Sequence, residues 1–420
     1  MSVEWNSEEV NHDYPLHWNK GPFHYAFTET EERIIERARN RWLDKKKDEP
    51  MMPRERTAKN WVTGEPHDRL PISNSAAHNG MPRIFDGFTD PPQALTQRDM
   101  EDFPNLDFIG QLLWFGKFLS DLAMPYNFGF GEEMVTRKFR LIDNGPPLAV
   151  EPFVRTIADA EWFLNNVPDP AIRSGCWPIY YWETQQLAKR MPEMPQVGSC
   201  CGGQITMTGF LRGIRNFVMD VRNGNMEMVE LLLKGTTEYL KKKIDIMSRL
   251  LVQEMDASGQ GHFLFWCDST SYLSVEEMTK LLPYTYDISI PYAAEKGFGP
   301  TIPPEGPLGT HENITRIMNE NVGGAINGYS EHPSASEWYN VARKYDNVGV
   351  QMGFNNSAPA ISQAKIKEDI ETFAKVVAQH PKKGLKTILQ APNGDPTAPA
   401  VNLEYVNKLL NELFKYPVTV

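Results

Sequence analysis

The chain has 420 residues, 41% hydrophobic and 23% charged, with a net charge of −11. That balance allows a large buried core and excludes a disordered chain; no basic cluster with interleaved aromatics offsets the negative total, which excludes a surface that follows nucleic-acid phosphates. No apolar run is long enough to span a bilayer, the first residues carry no secretory pattern, and four cysteines in so long a chain make no disulfide framework, so the expectation is a cytoplasmic protein with reduced thiols.

Residues 28–47 set Ile34, Ile35, Ala38 and Trp42 at helical spacing among Glu and Arg, after the capping residues Thr28 and Thr30. This predicts an amphipathic helix within an N-terminal extension, residues 1–51, that docks on the body through its apolar stripe. Residues 52–420 read as one further domain. Glu55–Ala58 reads as a helix that leads through a turn to a first strand at Leu70–Ser73. From Trp61 to about Pro195 the pattern is irregular and rich in Pro and Gly, with a helix over Ile109–Leu122 as its clearest element. Arg137–Glu151 shows a strand, an Asn-Gly turn and a second strand, a hairpin expected to decorate the mouth of the domain.

The segment Val197–Asp220 then joins a strand end, a glycine turn and a helix in one unit. Beyond residue 195 strands are predicted at 197–201, 262–267, 299–304, 323–328, 347–352 and 385–390, separated by helices such as 224–255 and 364–379 and closed by a helix over Asn402–Val406. Such alternation argues for parallel strands joined by crossover helices. With Leu70–Ser73 and one strand from the irregular region the count reaches eight, and the expected fold is a (β/α)8 TIM barrel.

Barrel enzymes carry their chemistry just past the carboxyl ends of the strands. Those positions are His78, Cys200, Cys201, Asp268, Glu305, Asn327, Tyr329, Asn355, Asn356, Gln390 and Asn393. Asp268 ends an apolar strand and suits a proton donor or an orienting acceptor; capping a loop is its structural alternative, although Ser274 is better placed to cap the helix from Val275. His78, before Asn79-Gly80, either orients substrate or caps a loop. Cys200 and Cys201 point to opposite faces of one strand, so at most one faces inward, and a structural role is the simpler reading. Asn327, Tyr329, Asn355 and Gln390 are candidate substrate-binding residues. Trp114, Phe115, Trp177, Tyr180, Phe265 and Trp266 belong to an aromatic set large enough to line a flat apolar pocket.

Taken together, the Glu55–Ile72 region, the Val197–Asp220 unit and the later strand-and-turn units resemble the uroporphyrinogen decarboxylase superfamily over roughly residues 52–418. That superfamily holds true decarboxylases and methyltransferases that serve corrinoid proteins. Its thiol-activating zinc methyltransferases carry His-x-Cys-Gly after a late strand and a further cysteine after the last. Here Pro303 takes the histidine place, Glu305 the cysteine place, and Leu389–Asn393 has no cysteine. The chain is more similar to the members that take methyl groups from aromatic methyl ethers, in which the resemblance implies zinc held by two acidic residues and a histidine. Glu305 and Glu320, fifteen apart, match the acidic pair; Val341 stands at the histidine place and His332 is the nearest substitute.

The Arg-Gln-Ala-Gly-Arg run of the decarboxylases has no counterpart, since Ser75–Arg83 holds one arginine. The resemblance therefore implies a methyltransferase moving a methyl group from an O-methyl donor to the Co(I) of a corrinoid. No Asp-x-His-x-x-Gly signature occurs in the chain, so the corrinoid would ride on a partner protein. A decarboxylase-type lyase and a non-catalytic ligand-binding barrel are the alternatives, and a homodimer is admissible.

Overall fold

The computed structural model describes residues 136–140, 148–167, 199–251, 261–266, 268–302, 306–321, 324–328, 335–346, 348–353, 362–379, 387–390 and 400–413, with Ile72–Ser73, Asp169 and scattered residues of 29–47 and 185–190. In chain order the strands are β1 (Ile72–Ser73), β2 (Thr136–Arg140), β3 (Leu148–Pro152), β4 (Ser199–Gly202), β5 (Gly261–Trp266), β6 (Phe298–Ile302), β7 (Gly324–Gly328), β8 (Val348–Gly353) and β9 (Thr387–Gln390). The helices are α1 (Ile157–Asn165), α2 (Gln204–Arg212), α3 (Ile214–Arg222), α4 (Met226–Leu251), α5 (Val275–Leu281), α6 (Tyr286–Glu295), α7 (Leu308–Glu320), α8 (Ala335–Ala342), α9 (Gln363–Gln379) and α10 (Ala400–Leu413).

Seven strands form one sheet in the order β1-β9-β8-β7-β6-β5-β4, every pair parallel. From β4 to β9 each strand lies beside the next in sequence, with at least one helix between them, and β1 lies beside β9. Parallel neighbours require such crossovers, because a tight turn can only reverse a strand. The first and last strands of the chain are thus adjacent, and residues 74–198 lie in sequence between the two outer strands, β1 and β4.

The helices exist because each presents one apolar stripe. In α4, Val229, Leu232, Leu233, Leu240 and Ile244 recur at helical spacing and are all buried. Ile314, Ile317 and Met318 do the same in α7, and Ile366, Ile370, Phe373 and Val377 in α9. Phe163 of α1 packs so closely on α4 that a Cβ at Gly235 would lie 2.6 Å from its Cε1.

The predicted hairpin is present: β2 and β3 pair antiparallel, with register shifts near Lys138. Two local features depart from the sequence reading. The helix expected after β4 is broken at Gly213, whose φ of +79 ends α2 and starts α3 at a new angle. Helix α1 was not predicted; its start is a capping box in which the Thr156 hydroxyl accepts from the Asp159 N–H at 3.2 Å and the Asp159 carboxylate accepts from the Thr156 N–H at 2.8 Å. The helices expected at Glu55–Ala58 and Ile109–Leu122 lie outside the described residues.

The described residues between Glu29 and Lys47 are helical. Arg190 holds that helix in place: its Nη2 donates to Glu32 Oε1 at 2.6 Å and its Nε to Oε2 at 3.0 Å, which draws the Glu32 carboxyl below its ordinary pKa. Among the described residues no helix is long and apolar enough to cross a membrane.

Candidate active site

The carboxyl edge of the sheet is fixed by register. Gly202 at the end of β4 pairs with Trp266 at the end of β5, so Gln204 and Asp268 each stand two residues beyond a paired strand end. Adjacent strands lie about 4.8 Å apart. Gln390, the last residue of β9, pairs with Gly353 at the end of β8 and with Ser73 at the end of β1. Asn327 pairs with Gln351, one residue before β7 ends. Asp268, Asn327 and Gln390 therefore occupy the end of the sheet where the sequence put them.

Beyond β5 the chain makes a short 3-10 helix, Asp268–Tyr272, then a Ser274 turn into α5. Ser274 caps that helix reciprocally: its hydroxyl accepts from the Glu277 N–H at 3.1 Å, and its own N–H donates to Glu277 Oε2 at 2.7 Å. With Ser274 doing the capping, Asp268 is not required for it. On one side the turn is tied to α2, where the Ser269 N–H donates to the buried Thr206 hydroxyl at 3.4 Å. Gly209 of α2 lies against this turn, and a Cβ there would stand 3.0 Å from Ile214 Cδ1 and 3.4 Å from Ser269 Oγ.

On its other side the turn meets the loop after β6. Gly306 has a φ of +103, and a Cβ there would lie 2.9 Å from Ser271 Cα and 3.2 Å from Thr270 O. Only glycine satisfies both the backbone angle and the gap. His311, in the second turn of α7 and fully buried, secures the loop: its Nε2 lies 3.0 Å from the Gly306 carbonyl. A carbonyl only accepts, so Nε2 carries the proton. Burial pushes the imidazole down to about 3, outweighing the hydrogen bond that favours charge, so the ring is neutral. The loops after β4, β5 and β6 are thus locked to one another.

The zinc set loses a member. Glu320 is the last residue of α7, exposed, with both carboxylate oxygens accepting from Arg316 Nη1 at 2.8 and 2.9 Å. Helix α7 starts just past Gly306 and has 13 residues, about 20 Å of rise. Its far end leads toward β7 at the amino edge of the sheet, so Glu320 stands a full helix length away from Gly306 and the carboxyl edge. Glu320 is corrected from a metal ligand to a surface ion-pair partner. Among the described residues no three His, Cys, Asp or Glu side chains gather where they could hold a metal ion. Of Glu305, Glu320 and His332, only Glu320 belongs to the described residues, and its carboxylate is engaged by Arg316. His78, Glu305, Tyr329, His332 and Asn355 lie outside the described residues.

Sequence reasoning missed one residue of this edge. Gln204, the first residue of α2, is completely buried, and among the described residues neither its Oε1 nor its Nε2 has a hydrogen-bond partner. The visible signal was a long polar side chain directly after Gly202-Gly203, where an apolar residue would have packed more easily.

No protein-family model matches the chain, and no curated protein is significantly similar to it. A solved structure described as a methyltransferase from Methanosarcina mazei is similar in fold, with a TM-score of 0.57 and 15% identity, over 86% of this chain and 99% of that one.

Proposed function

We propose that the protein is a methyltransferase that moves a methyl group from an O-methyl donor, an aromatic methyl ether, to the Co(I) of a corrinoid carried by a separate protein. The reading includes a closed (β/α)8 barrel, in which a strand from residues 74–198 stands between β1 and β4. The observation that carries it is the fold shared with a methyltransferase along nearly the whole of that chain, combined with a carboxylate residue, Asp268, just past the end of β5.

The register extends the argument. Leu264 pairs with Thr301, and counting four residues on from each leads to Asp268 and Glu305. Two acidic residues that follow adjacent strands in sequence suit a reaction that must discharge a poor leaving group. A phenolate leaves badly at neutral pH because its conjugate acid has a pKa of about 10. The corrinoid acceptor supplies the nucleophile. What the protein must supply is the proton: as the methyl–oxygen bond breaks, Asp268 donates to the ether oxygen and the product departs as a neutral phenol. The locked loops after β4, β5 and β6 hold the donor in one orientation throughout. No step is assigned to zinc.

The test mixes the protein with chemically reduced cobalamin, or a reduced corrinoid protein, and a panel of methoxylated aromatics, following loss of the Co(I) absorption. Methyl transfer from one donor class is expected, and Asp268→Asn should slow it by about 10²- to 10⁴-fold while binding of the donor persists. Silence across the panel, or carbon dioxide release from a porphyrinogen, would replace this reading with binding or decarboxylation.

A further inference from the structure

We infer that Gln204 is a ligand-binding residue and that the group it takes is a planar carbonyl flanked by a hydrogen-bond donor, above all a primary carboxamide on the methyl donor. The inference rests on the methyl-transfer reading for the identity of the ligand and on geometry for the rest.

The geometry has two independent parts. Gln204 has zero exposure, yet its side-chain oxygen and nitrogen both lack partners among the described residues. A buried amide in that state loses its hydration and gains nothing in return, so some other group must face it in the working protein. The second part is the start of α2. Its cap residue is Gly203, which offers no side-chain acceptor, and the first hydrogen bond back to that cap is made by the Met207 N–H at 3.0 Å. The first-turn N–H groups therefore have no side-chain cap, at the positive end of the nine-residue helix that Gln204 begins.

The chemistry of the ligand follows from what each group needs. The N–H groups and Nε2 call for an acceptor oxygen. A carboxylate would supply it but would leave Oε1 without a donor and facing a negative charge. A carboxamide supplies both, its oxygen accepting from Nε2 and its N–H donating to Oε1, as paired amides do. Position agrees: Gln204 and Asp268 each follow by two residues the paired strand ends Gly202 and Trp266, so both lie at the same edge of the sheet on neighbouring elements. Sites of this kind discriminate strongly, because an analogue without the polar group leaves buried donors and acceptors unpaired.

The test titrates 4-methoxybenzamide, 4-methoxybenzoate and 4-methylanisole separately into the full-length protein by calorimetry, without corrinoid. The expected result is that the benzamide binds at least tenfold tighter than the other two. In Gln204→Met, which keeps the volume and removes the amide, that preference should vanish while the affinity for 4-methylanisole stays within twofold. The ligand-free Met variant should melt at the same temperature as wild type or higher, because an unpaired buried amide has been removed. Should that variant not fold, Gln204→Glu, which removes the donor and keeps an acceptor, should lose the same preference. Equal binding of all three compounds, no binding of any, or a preference that survives the substitution would overturn the inference and leave Gln204 facing only trapped water. The cobalt assay judges the parent reading separately: methyl transfer without amide preference overturns only this inference, and amide-selective binding without methyl transfer overturns only that reading.

Discussion

Two residues at the candidate site carry measurable consequences of their surroundings. Gly306 combines a φ of +103 with a Cβ position 2.9 Å from Ser271 Cα, a backbone atom that cannot swing aside. Gly306→Ala should cost about 1–3 kcal/mol of stability and pull the loop after β6 away from the Asp268 turn. Chemical denaturation would give the first effect, and a fall in the rate of the proposed methyl transfer with Asp268 intact the second. His311 predicts a pH dependence. Its folded pKa is depressed to about 3, against about 6.5 when unfolded. Protonation therefore favours the unfolded chain: the contribution is complete above about pH 6.5 and is lost as pH falls toward 3, by up to about 1.4 kcal/mol per unit. His311→Gln keeps an N–H donor for Gly306 and should flatten that slope in denaturation curves measured between pH 6.5 and 4. At this scale Asp268 was legible because an apolar run that ends in a carboxylate announces a strand mouth. Gln204 was not, since a glutamine shows its missing partners only once the burial around it is known. Glu320 was misread because sequence spacing of fifteen cannot tell a loop from a helix that carries its end across the sheet.

Among the elements, α4 shows how a helix trades intrinsic preference for contact. Alanine is favoured over glycine in a helix interior by about 1 kcal/mol, yet Gly235 lets α1 approach so closely that Phe163 fills the place of a side chain. Gly235→Ala should therefore destabilise, by about 1–3 kcal/mol, because the added methyl would overlap the fully buried Phe163 ring and force it to shift; thermal melts of the two proteins decide it. The end of α2 is bound as tightly. Arg212 pairs with Asp220 of α3 at 2.8 Å and donates to the carbonyls of Val154 and Arg155 at 3.3 and 2.7 Å, so one guanidinium ties α2, α3 and the chain leaving the hairpin. Arg212→Ala leaves a nearly buried carboxylate with the Asn225 amide at 3.0 Å but no cation, and a loss of about 2–4 kcal/mol is expected in denaturant titration. Arg212→Lys should recover only part, since a point charge cannot span all three acceptors. The strands after residue 195 were legible to within a few residues, because buried parallel strands are short apolar runs bounded by Gly, Pro and charge. The break at Gly213 was not, because a glycine within a helical pattern is usually tolerated and its positive φ is a tertiary outcome. The capping box of α1 was written in Thr156 and Asp159 but lay inside a stretch without clear periodicity.

Across the whole molecule, the alternation of strands and helices made a parallel sheet legible before any coordinates, since long crossovers between short apolar runs leave no antiparallel solution. Strand order came from the barrel expectation, which entails that the first and last strands meet, and not from any local pattern, because the contact of β1 with β9 depends on how the twist of the intervening strands accumulates. The substrate end was the least legible, as it depends on which polar groups are left without partners inside the fold. The pairing of Ile72 with Leu389 and of Ser73 with Gln390 sets a timetable for synthesis. On the ribosome, residues 74–386 are all translated between β1 and its neighbour β9, so that edge of the first strand waits through the whole of that interval. Nascent protein in that interval carries an unpaired strand edge until β9 is made, the state in which edge-to-edge association is favoured.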